Sequence, residues 1–105
     1  MREISSNKVI HVVFLAREGH TAARPLQAFI DGLNEDEQAH MVAIAWVGRG
    51  VFDAAEYAEA VAMARAEKTV PTADYLMGMP HLAENLEAGL EALGVDVSAE
   101  EEDLL

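Results

Sequence analysis

Ala39-His40-Met41-Val42-Ala43-Ile44-Ala45-Trp46-Val47 is apolar at every position except His40. Just ahead of it, Asn34 and Glu37 have the spacing of a capping box, with Asn in place of the usual Ser or Thr. Glu35, Asp36 and Glu37 would also set negative charge at the positive end of a helix dipole. The segment therefore reads as a helix that is apolar on nearly all sides after its first turn. Such a helix has to be enclosed by others, so it marks the centre of a helical bundle.

The flanking sequence supplies the enclosing helices. Ser5 or Ser6 can cap a first helix that runs to about Glu18, with Gly19 as its stop. Its Val9–Leu15 core is rich in β-branched residues, but it lacks two-residue alternation and has no partner strand downstream. Pro25 suits the first turn of a second helix, whose Leu26, Phe29, Ile30 and Leu33 fall on one face. Gly48-Arg49-Gly50 reads as the break after the central helix. Asp53 and Glu56 then repeat the cap spacing, with Phe52 and Tyr57 placed as a hydrophobic staple. That helix is expected to reach about Lys68 and to bury Tyr57, Val61 and Ala64. After Pro71, Thr72 can cap a short turn through Met77. Pro80 is expected to open a last helix with Leu82, Leu86, Leu90 and Leu93 as its buried stripe, closed by Gly94. Gly89 inside this helix costs about 1 kcal/mol against Ala and points to a close helix crossing.

The expected fold is thus all-α, a compact bundle of about four main helices plus a short helical segment. Residues 1–97 form the expected single helical domain, and 98–105 an acidic C-terminal tail. With 105 residues there is no room for a second core.

Charge and composition limit the function classes. The net charge is −12, and every Lys and Arg lies before position 69. The remainder carries nine acids and no base, so nine of the twelve excess negative charges fall in the final third. Such a surface repels phosphate, which argues against direct binding of nucleic acid or an anionic membrane. Solubility is the plain reading of the acidity. A basic protein partner, or mimicry of nucleic-acid charge, are the functional ones. There is no cysteine, which excludes disulfides and thiolate metal sites. The polar start and the short apolar run from Val9 to Ala16 fit neither a secretion signal nor a membrane span, so a cytoplasmic protein is expected.

No catalytic signature is present: no P-loop, dinucleotide fingerprint, nucleophile elbow or HExxH. His11, His20, His40 and His81 stand on different segments without ligand spacing, so no metal and no cofactor are expected. The most distinctive segment is Trp46…Gly48-Arg49-Gly50…Phe52. Glycines on both sides of Arg49 would expose its guanidinium to an anion or a partner carboxylate. The structural alternative is an arginine stacked on Trp46 or paired with an acid of the last helix. Tyr75, Met77 and Met79 place apolar groups on a short interrupted segment, which either closes a core or forms an interaction surface. Arg49, Trp46, Tyr75, Met77 and Met79 are therefore the candidate interaction residues. The leading reading is a non-enzymatic interaction or regulatory domain, a monomer or weak homodimer. A small enzyme or ligand-binding domain around Arg49 is the alternative.

Three blocks, residues 29–38, 46–52 and 72–80, occur in an order and form that resemble the bacterial family catalogued as domain of unknown function 3775. The likeness covers roughly residues 26 to 95. The chain departs from the family pattern in its short segment from Gly19 to Arg24, and at Val51 and Asn85. The resemblance implies an all-helical fold and supplies no activity, substrate or catalytic residue.

Overall fold

A computed structural model describes residues 4–95. Six α-helices follow one another: α1 (Ser6–Arg17), α2 (Ala23–Asp31), α3 (Glu35–Arg49), α4 (Tyr57–Ala66), α5 (Thr72–Met77) and α6 (Leu82–Ala92). Single 3₁₀ turns at Gly19–Ala22 and Ala54–Glu56 lead into α2 and α4. The described residues contain no strand, so the all-α bundle expected from the sequence is the fold. It has five longer helices and a short α5.

The start signals at Ser5 and Asn34 act as the sequence implied. Ser5 caps α1, its hydroxyl accepting from the Lys8 N–H at 3.3 Å. Asn34 Oδ1 accepts from the Glu37 N–H at 2.7 Å, and the Asn34 N–H donates to Glu37 Oε1 at 3.1 Å. This reciprocal pair satisfies two otherwise unpaired helix-end groups. The Asp53 N–H donates to Glu56 Oε1 at 2.9 Å ahead of α4. Phe52 and Tyr57 both rest, half-buried, on the cluster of Ala39, Ala43, Ala60 and Val61.

Every residue from Ala39 to Ala45 is buried, and α3 packs against α4, α5 and α6. On the other side, α1 lies on α2 and α6, with Val9, Ile10, Val12 and Val13 buried. Leu26, Ile30 and Leu33 close the core from α2, and Leu82, Leu86 and Leu90 from α6. Each of these large side chains removes enough apolar surface from water to favour folding by about 1.5–3 kcal/mol.

Several boundaries differ from expectation. Gly48 does not break α3; the helix continues through Arg49, and Gly50 ends it in the left-handed conformation at φ 84°. Gly48 is instead a packing residue. A Cβ there would lie 1.7 Å from the Asn85 carbonyl oxygen, and one at Gly89 would lie 2.1 Å from that of Ile44. The two glycines thus let α3 and α6 cross with their backbones nearly touching. Helix α4 ends at Ala66, short of Lys68. Thr72 does not cap α5: Pro71 takes the cap position, and Thr72 is the first helical residue. Pro80 lies outside α6, which is preceded by His81 at φ 58° and begins at Leu82. Val95 folds back, its N–H donating to the Leu90 carbonyl at 2.9 Å. The expected acidic tail, 98–105, lies outside the described residues.

Candidate functional site

The central helix is not covered evenly. Beyond Ala66 the chain leaves α4 through Glu67–Pro71 and re-enters as α5, opening a groove beside α3. One end, about 190 Å³, is walled by Val42, Trp46, Val70 and Tyr75, with Lys68 and Thr72 among its polar residues. It continues into a second part of about 340 Å³ beside Glu35, Gln38 and Arg65. Val42, Ala64, Lys68 and Thr72 line both parts, so the two form one elongated depression.

The Trp46 end is built on an aromatic cluster. The Trp46 indole N–H donates to the Tyr75 hydroxyl at 2.8 Å, and the two rings meet edge to face. On its other side Trp46 stacks on Phe52, with ring centroids 5.9 Å apart. Trp46 is therefore fixed from both sides, and Tyr75 stays 37% exposed at the groove wall. Val70 is 48% exposed beside them, an apolar side chain in an otherwise polar connection.

Polar groups of the groove are unequally partnered. Arg65 is ion-paired with Asp36. Lys68 Nζ reaches only the Gln38 amide oxygen at 3.4 Å, and it forms no ion pair among the described residues. Thr72 is 6% exposed, yet its hydroxyl makes no hydrogen bond within the described residues. Having lost the expected capping role to Pro71, it faces the groove instead. The Tyr75 oxygen accepts from Trp46, which leaves its own O–H proton to donate elsewhere.

The other expected site residues are dispersed. Arg49 is exposed in the last turn of α3 and lines none of these clefts. Among the described residues it neither stacks on Trp46 nor pairs with an acid of α6. Met77 is exposed, whereas Met79 is largely buried in the core. Both line a separate cleft of about 540 Å³ between the end of α1 and the start of α6, where Arg17 is already engaged by Glu87. Trp46 and Tyr75 are thus brought together, and Arg49, Met77 and Met79 do not join them. The sequence reading missed Lys68, Val70 and Thr72. The legible signal was Val70, an apolar residue set between Lys68-Thr69 and Pro71-Thr72.

The histidines are scattered. His40 is buried, with Nδ1 2.6 Å from the Tyr57 hydroxyl, and His11 lies against Phe29. Among the described residues no three His, Asp or Glu side chains come close enough to hold a metal ion. No helix there is long and apolar enough to cross a membrane.

A family model described as a protein of unknown function, DUF3775, matches residues 23–95, well over half of the chain. The match contains the whole groove and agrees with the resemblance seen in the three sequence blocks. No curated protein and no solved structure matches the chain.

Proposed function

We propose that this chain, which belongs to the DUF3775 family, is a small non-enzymatic domain that binds another protein through the groove beside α3. The observation behind this reading is the exposed pair Val70 and Tyr75, set against a fixed Trp46 at one end of an open depression. Aromatic residues held rigid in this way lose little freedom when a partner covers them, and they dominate protein-binding energetics. The part walled by Trp46 and Tyr75, about 190 Å³, suits one inserted side chain, with the partner's backbone running along the other part.

In this proposal the domain works in the cytoplasm. The net charge of −12 favours a partner whose surface is basic overall, by long-range attraction. The test is photo-crosslinking in cells that naturally express the chain, with a benzophenone amino acid replacing Val70 or, as control, the exposed Ala88 outside the groove. The proposal expects discrete heavier products from position 70 and none from position 88. Absence of products from position 70, or equal products from both, would overturn it.

A further inference from the structure

We infer that the groove recognises a segment of a partner protein in which an apolar side chain stands next to a carboxylate, an Asp or Glu within the segment. The inference rests on the protein-binding reading of the same site and adds the chemistry of what enters it. Its first support is Thr72. Thr72 is only 6% exposed, and its hydroxyl makes no hydrogen bond among the described residues, which leaves it to a group entering the groove. Residues in such positions normally have partners. Thr72 lines both parts of the groove, so an incoming group can reach it from either side.

The neighbouring groups decide what that incoming group is. The Tyr75 O–H has a proton to give, because its oxygen already accepts from the Trp46 indole. The Lys68 ammonium, which like Thr72 borders both parts, has three protons and only the Gln38 oxygen at 3.4 Å to receive one. Each of the three groups has a proton to donate, and a carboxylate supplies acceptors on two oxygens. Glu35 and Glu67 also line the groove, one in each part. Lys68 pairs with neither of them. Beside these donors, Val42, Val70 and the Trp46 and Tyr75 rings form an apolar wall for the adjacent side chain. The chain's overall negative charge does not forbid this contact. At physiological salt, charges beyond about 8 Å are largely screened, so the local balance of Lys68 against Glu35 and Glu67 determines which segment fits. A partner basic overall that presents one carboxylate at its anchor satisfies both scales.

The test uses the chain's only tryptophan as reporter. The Trp46 indole N–H resonance is followed while acetyl-Gly-Leu-Glu-Leu-Gly-amide is added to millimolar concentration. Its Gln analogue and its Lys analogue are titrated in parallel. A saturable shift of that resonance is expected with the Glu peptide. The Gln peptide should bind about tenfold more weakly, the loss expected for one charge-assisted hydrogen bond. Lys68→Gln, an exposed change that leaves the core intact, should erase the difference between the Glu and Gln peptides. Thr72→Val should weaken the Glu peptide while preserving the fold by circular dichroism. No shift with the Glu peptide, equal binding of the Gln or Lys peptide, or no effect of Lys68→Gln would overturn the inference. Crosslinks from position 70 combined with any of those results would leave the protein-binding reading standing and remove only the carboxylate. Loss of the crosslinks would remove that reading itself.

Discussion

Thr72 and Glu37 are both polar and both buried, and they differ in what their polar atoms meet. Glu37 receives the Lys8 ammonium and closes the capping box with Asn34. These bonds hold its carboxyl below its ordinary value of 4.5, the Lys8 hydrogen bond first and the Asn34 N–H second. A carboxyl depressed on folding stabilises the fold above its unfolded pKa and loses that contribution as pH falls through the folded one. Glu37→Gln keeps a side chain able to complete the box and removes only the charge. The stability gap between wild type and this variant should therefore be full at neutral pH and should close under acid conditions. Urea melts at a series of pH values would show this, and a gap independent of pH would contradict it. Thr72 is the reverse case, a hydroxyl buried without a partner. Thr72→Val should leave stability unchanged or raise it by about 1 kcal/mol, as expected when an unsatisfied polar group is replaced by an apolar one of the same shape. A clear loss of stability in the urea midpoint would show that the hydroxyl is engaged in the free protein.

Helices α3 and α6 cross with a close backbone approach, and two glycines make it possible. Gly48→Ala and Gly89→Ala would each force a methyl group into a backbone carbonyl, which cannot move aside as a side-chain tip can. Each should destabilise by about 3 kcal/mol or more, at the upper end of overpacking costs. Gly32→Ala is the matched control. Its Cβ would lie 3.4 Å from the Ala28 carbonyl oxygen in a helical conformation, so it should be neutral or stabilising by about 0.5 kcal/mol. Thermal melts of the three variants would separate these outcomes.

The same elements show what the sequence could reveal. Asn34–Glu37 and Asp53–Glu56 were legible because a cap is a local event with a fixed spacing, complete within four residues. The crossing at Gly89 was legible as a costly glycine in an otherwise good helix. Gly48 was misread as a break, since its partner Asn85 lies far along the chain and only the packed structure explains its lack of a side chain. For the candidate site, Trp46 and Tyr75 stood out by residue type. Thr72 looked like a cap, and its place in the groove follows from Pro71 taking that position. Lys68 gave no signal, because a solvated surface lysine and one bordering a groove look alike in sequence.

At the scale of the whole molecule, a net charge of −12 on one small domain creates self-repulsion that opposes compaction. Added salt screens it, so the melting temperature should rise from low to moderate sodium chloride even though ion pairs such as Lys8–Glu37 are weakened. A fall would show that those pairs outweigh the repulsion. In the proposed reading the charged surface acts at long range and the groove on contact. Arg49 and the groove are rival docking points on one molecule, and both carry exposed residues that can be changed without touching the core. The direct comparison is the affinity of the partner captured from position 70 for wild type, Val70→Glu and Arg49→Ala. Docking in the groove predicts that Val70→Glu weakens binding about tenfold or more, as for an anchor position. Arg49→Ala should stay within about twofold, as for a charge outside the contact. A large loss with Arg49→Ala and an unchanged affinity with Val70→Glu would contradict the account.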